Sequence, residues 1–116
     1  MTSEKGSVTV HAIWLATALL VLALVMLEAA SLIGVRHRAA AAADLAALAG
    51  SRAAVNGHDG CAAARASARA NGAELVTCRM DYDVATVKAR VVSRRWWGHR
   101  WRADVPARAA PDFYFR

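Results

Sequence analysis

From Val8 to Val35 the chain runs for 28 residues with two ionisable side chains, His11 and Glu28. That run exceeds the roughly 20 residues needed to cross the hydrocarbon of a bilayer. It therefore commits about a quarter of a 116-residue chain to a membrane helix or to a targeting signal, and leaves room for one small domain. A span that begins at Val8 reaches Leu27 after about 20 residues. Glu28 then falls at the far interface, outside the hydrocarbon.

The helix is expected to continue beyond the apolar run. Residues 36–55, RHRAAAAADLAALAGSRAAV, are rich in alanine and lack proline, which favours helix strongly. Leu45, Leu48 and Val55 recur at helical spacing within them. Residues 8–55 as one rod would be about 70 Å long. Its outer part reads as a thin alanine stalk, suited to close packing against a neighbour. Much of the 57% hydrophobic content is this alanine, which buries little area per residue.

The break comes at Asn56–Gly60, NGHDG. Asp59 is placed to cap a short helix from Cys61 to Asn71, with Gly72 as its stop. Arg65 and Arg69 share its exposed face and leave mostly alanine to pack. The period then changes to two. Val76, Cys78, Met80 and Tyr82 point one way in a first strand, and Thr77, Arg79 and Asp81 the other. Ala85, Val87, Ala89 and Val91 oppose Thr86, Lys88 and Arg90 in a second, with a turn at Asp81–Asp83. A third strand is expected over 97–105, with Trp97, His99, Trp101, Ala103 and Val105 on one face and Pro106 and Pro111 ending it. The fold class is α+β: a long N-terminal transmembrane helix extended as a stalk, a short second helix and a small antiparallel β-meander.

Two cysteines are present, Cys61 and Cys78. Cys78 lies on the apolar face of the first strand, and Cys61 begins the helix expected to cover that face. In an oxidising compartment a disulfide is the favoured pairing. It would close a loop of about 16 intervening residues and contribute roughly 3 kcal/mol in the chain-entropy account. The alternatives are two free thiols or a metal site built on His58, Cys61 and Cys78. The second lacks a fourth ligand nearby, which His99 would supply only by coincidence of fold.

No enzyme signature is found. Asp81 and Asp83 flank Tyr82 in a hairpin turn, where aspartate is common for backbone reasons. Ser93 and His99 form no triad pattern, and there is no glycine-rich phosphate loop. No cofactor is implied. Charge is distributed unevenly, net −1 over residues 1–35 and +7 over 36–116. The basic segment Arg94–Arg102, RRWWGHRWR, is the most unusual part outside the apolar run. Arg94, Arg95, Trp96, Arg100 and Arg102 are candidate contacts to an anionic partner: nucleic acid by stacking and phosphate pairing, or a membrane or cell-wall surface. The plainer reading makes Trp97 and Trp101 part of the core and the arginines its wet face.

The amino-terminal residues Lys5–Trp14, KGSVTVHAIW, followed by a long apolar helix, resemble the class III signal of type IV pilin-like proteins. The resemblance implies a short charged leader cut by a membrane prepilin-type peptidase after its glycine, here at Gly6–Ser7. Together with Asp44–Ala49 in the alanine-rich segment and the later Cys61 and Cys78, the layout is similar to the TadE/TadG-like proteins of Tad (Flp) pilus assembly. Within them it is most similar to the short actinobacterial TadE-like type encoded beside secretion-ATPase and helicase genes. What this implies is a leader over 1–6, a transmembrane helix over 7–35, a helical stalk over 36–55 and an extracytoplasmic domain over 56–116. The implied partners are the membrane and other pilin-like or assembly subunits.

One position departs from the pattern. Pilin-like proteins usually carry glutamate at the fifth mature position, where it pairs with a neighbour's amino terminus. Here that position is His11, which cannot neutralise an ammonium. A minor subunit or an assembly factor is thus favoured over a major filament subunit.

Two further readings compete. Ala12–Leu27 fits the apolar region of a secretory signal, with Ala29–Ser31 as its small-residue cleavage site, which would release a free basic protein. An anchored or secreted binding module for DNA or wall polymer is the other. Orientation is also contested, since Arg36 and Arg38 flank the far end of the span against Lys5 at the near end. The positive-inside rule alone would put the domain in the cytoplasm. The leader and the cysteine pair favour the opposite placement.

Overall fold

The structure is a computed structural model and describes residues 2–94 and 98–115. Helix α1 covers Thr2–Val55 and α2 covers Gly60–Ala70; strands β1 (Glu74–Asp81), β2 (Val84–Val92) and β3 (Arg102–Ala109) follow, then a 3₁₀ turn at Asp112–Phe115. The sheet is an antiparallel meander in the order β1-β2-β3. The expected α+β fold is therefore present, with a long apolar helix at its start. The chain divides into two compact units between Leu32 and Ile33.

In the first unit the apolar side chains are exposed; Trp14, for example, is 73% accessible. Among the described residues, one helix is long and apolar enough to cross a membrane. Three of its polar side chains turn back on their own helix. His11 Nδ1 donates to the Ser7 carbonyl (2.7 Å), Thr17 Oγ1 to that of Ile13 (2.8 Å) and Ser31 Oγ to that of Leu27 (3.0 Å). Such bonds satisfy donors that lipid cannot.

The second unit is built on alanine. Val35, Ala39, Ala42, Ala43, Ala46 and Ala47 form one buried stripe of α1, at the three- and four-residue spacing of a packed helix face. The stripe joins Ala64 and Ala68 of α2 and Val87, Ala89 and Val91 of β2 in a single core. Val87 is its largest fully buried side chain. Segment 36–55, read from sequence as a stalk, is a wall of this domain. The leucines face the other way, with Leu45 at 46% and Leu48 at 47% accessible. Small residues face the sheet because the layers approach too closely for larger ones. A Cβ on Gly60 would lie 2.8 Å from Met80 and 2.9 Å from the Gly50 carbonyl, and one on Gly50 would lie 3.2 Å from the Ala85 Cβ. Ser51, also buried, donates its hydroxyl to the Asp83 carbonyl at 2.7 Å, tying α1 to the β1–β2 turn.

Both helices end in the same way. Gly57 (φ 75°) and Gly72 (φ 71°) take the left-handed conformation. His58 N–H reaches the Ala53 carbonyl and Ala73 N–H that of Ala68, which is the Schellman closure. Asp59 caps α2 by accepting from Ala62 N–H at 3.1 Å.

Three strand expectations need correction. A bulge between Leu75 and Thr77 leaves Val76 as an extra residue, so Leu75 packs on the core and Val76 is exposed. Tyr82 is 91% accessible in the hairpin turn, with φ 54°, and does not face inward. The third strand begins at Arg102 and passes through Pro106, which stands opposite Lys88. Pro106 does not end it, because β3 is an edge strand whose outer side requires no donor. Alternation from Trp101 through Ala103 and Val105 holds and extends to Ala107 and Ala109. Trp97, assigned to that strand from sequence, lies outside the described residues.

The direction of α1 within this unit follows from these contacts. Gly50 and Ser51 meet the start of β2 and the turn before it. A groove joins Leu48, Arg52 and Val55 to Ala110–Asp112, just past the end of β3. From Ala85, β2 rises about 20 Å to Val91. From Gly50, α1 rises about 22 Å back to Val35, and both stripes are buried throughout. Strand β2 therefore runs antiparallel to α1, and its far end lies level with Val35.

Candidate functional site: the disulfide and the basic β2–β3 loop

Cys61 and Cys78 are bonded, with Cα atoms 5.8 Å apart and a sequence separation of 17. The bridge joins the first turn of α2 to the strand it covers. It occupies both sulfurs, so His58 and Cys61 offer no half-site for a metal. Among the described residues, no cluster of three or more metal-ligating side chains occurs.

The β2–β3 connection leaves the sheet at Ser93 and returns at Trp101. Ser93 N–H donates to the Trp101 carbonyl (2.7 Å), and Trp101 N–H donates back to Ser93 Oγ (2.8 Å). This reciprocal pair closes the loop, and it is the use the structure makes of Ser93. Gly98, with φ 80°, supplies a left-handed turn within it. Trp101 packs half-buried on the core, which anchors the returning strand. Arg94, Arg100 and Arg102 are exposed around it. A shallow depression is lined by Val92, Arg100, Trp101 and Arg102. The structure thus brings together Arg100 and Arg102 of the five residues assigned to an anionic partner, with Arg94 exposed next to Ser93. Arg95 and Trp96 lie outside the described residues.

The outer face of the sheet is polar and partly self-neutralised. Arg90 binds Asp104 through two bonds, Nε to Oδ1 at 2.7 Å and Nη2 to Oδ2 at 2.9 Å. That hydrogen bonding is the main cause holding the Asp104 carboxyl below its ordinary 3.8; burial opposes it, and the charges of Arg90, Arg102 and Lys88 add to it. Arg79 pairs with Asp81 at 2.9 Å. The carboxylate suspected of forming an acid pair with Asp83 is therefore held by a guanidinium, and the Asp83 backbone carbonyl receives Ser51.

The Gly6–Ser7 bond lies in the first turns of α1, and no atom outside its own helix lies within 4 Å of where a Gly6 Cβ would be. A glycine there lowers the cost of unwinding the helix locally.

Sequence reasoning missed Gly50, Ser51 and Gly60 as the small residues that permit close layer contact. The signal was available in the spacing of Ala43, Ala47, Gly50 and Ser51, which continues the alanine stripe. The chain matches no protein-family model, no curated protein and no solved structure.

Proposed function

We propose that the protein is a single-pass structural component of a Tad/Flp-type pilus or secretion system. In this reading it is a TadE-like minor pilin or an assembly factor that stays in the membrane, with its small domain on the extracytoplasmic side. It acts by holding and presenting that domain, without catalysis. The observation that carries the reading is the form of α1: one unbroken helix, Thr2–Val55, apolar in its first half and a wall of a disulfide-linked domain in its second. The glycine-ended leader supports it, because removal at Gly6–Ser7 would leave the apolar helix intact. Exposed Leu45, Leu48 and Val55 offer neighbouring subunits an apolar ridge.

The test is the intact mass and amino-terminal sequence of the mature protein from its native membrane. A start at Ser7 is expected. A start at Met1 would remove the protein from the pilin-type processing pathway. Carboxyl-terminal reporter fusions active only in the cytoplasm would overturn the orientation.

The secreted binding module is favoured by one observation. The compact second unit begins at Ile33, two residues past the small-residue segment Ala29–Ser31. Cleavage there would release that unit whole; a mature start at Leu32 would establish the release, and salt-sensitive DNA binding by residues 36–116 would establish the binding.

A further inference from the structure

We propose that the protein forms a two-fold dimer in which Tyr82 of each copy docks in the groove beside Leu48 and Val55 of the other. The inference is independent of the leader, of the membrane anchor and of any pilus role.

The first ground is a conformational cost with no return inside the chain. Asp81 pairs with Val84, so Tyr82 and Asp83 form a two-residue hairpin turn. Tyr82 takes φ 54° at the first of these positions. Glycine adopts that conformation freely, whereas a bulky side chain is strained there. The ring is the most exposed of the described large apolar and aromatic side chains. Its own chain covers almost none of it, and strain of this kind points to a role outside the fold. The turn is also held in place. Ser51 Oγ donates to the Asp83 carbonyl, and Arg79 pairs with Asp81. An aromatic side chain on a braced tip has little freedom left to lose on binding.

The second ground is the groove. Leu48, Val55, Ala110 and Pro111 give it apolar walls, and Arg52 and Asp112 give it a charged rim. Leu48 and Val55 are half exposed in it. Ser51 lines this groove and also holds the turn, so knob and groove are neighbours on one surface. A patch that carries both is self-complementary under a two-fold axis, and each copy fills the other.

The third ground is charge. Arg79 holds Asp81, but among the described residues neither Asp83 nor Arg52 is in an ion pair. With Tyr82 seated on Leu48 and Val55, the adjoining Asp83 meets Arg52 of the other copy. Asp112, the acidic member of the rim, accepts a hydrogen bond from the Tyr82 hydroxyl. No partner of another kind is required, since one chain carries both halves of the contact.

The experiment measures the dimer dissociation constant of the full chain in detergent by sedimentation equilibrium, across a range of chain concentrations. Tyr82→Gly should weaken the dimer about tenfold or more. It should leave the monomer at least as stable, because glycine suits the positive φ. Arg52→Glu and Asp83→Arg should each weaken the dimer about tenfold. An equimolar mixture of those two variant chains should associate as tightly as the natural chain, because both contacts then join opposite charges. A chain that stays monomeric throughout would overturn the proposal. So would failure of the mixture to recover, or a dimer indifferent to Tyr82→Gly, which would place the contact elsewhere.

Discussion

The two halves of α1 follow opposite rules. Before residue 33 the large apolar side chains among the described residues are exposed, and Thr17 and Ser31 bond to their own backbone. After it the small side chains are buried, and the large ones, Leu45 and Leu48, are exposed. The first half is apolar on every side and has no protein to cover it, as suits a helix solvated by lipid. The second half excludes water by closeness: alanine and glycine let the sheet and α2 approach until a single methyl would collide. Hydrophobicity alone would have ranked these halves the other way, because leucine and valine dominate the half without a protein core.

The largest break in this contrast should come from the disulfide. Replacing Cys61 and Cys78 by serine should destabilise the domain by about 3 kcal/mol, read by chemical denaturation in a detergent that keeps the chain monomeric. Helix content from the first half should survive that transition. Enlarging the stripe is next. Ala46→Leu should cost about 1–3 kcal/mol by overpacking, whereas Ala23→Leu in the apolar half should leave domain stability within about 0.5 kcal/mol. Equal effects would show that the two halves are not differently packed.

Hydroxyls sharpen the comparison further. Ser51 Oγ reaches another element, and Thr17 Oγ1 reaches its own helix. Ser51→Ala should therefore cost about 1 kcal/mol of domain stability, and Thr17→Ala should leave it unchanged in the same assay. The smallest effect is expected from acid. The Asp104 carboxyl is held below 3.8 by Arg90 in the folded domain. Its contribution is fully present above the unfolded value and is lost as pH falls through the lowered folded value. The pair is exposed, so the loss should be slight; Asp104→Asn should abolish that part of the acid dependence.

Most of the architecture was legible because its signals are local. The Asn-Gly stops, the Asp59 cap and the alternation along β2 each depend on a few neighbouring residues. The errors arose where tertiary packing or chain geometry decides. A single extra residue, Val76, exchanged the faces at the start of β1, so that Leu75 and not Val76 joins Cys78 on the core side, and period two carries no warning of a bulge. Pro106 reads as a strand end until β3 is known to be an edge. The Leu45–Val55 pattern and the alanine stripe have the same helical period, and only the closeness of the sheet selects between them. For the site, Arg94, Arg100 and Arg102 were evident from composition. Their place at the Ile33 end was not, since it follows from the direction in which β2 packs on α1.

The central claim is that one helix serves two solvents, lipid before residue 33 and its own domain after. Hydrogen exchange on the full chain in a bilayer, with and without a reductant, tests it most directly. The account predicts protection over residues 10–27 under both conditions, and faster exchange over 39–51 and in the strands once the disulfide is reduced. Rapid exchange over 10–27 in the intact bilayer, or loss of both protected regions together on reduction, would contradict it.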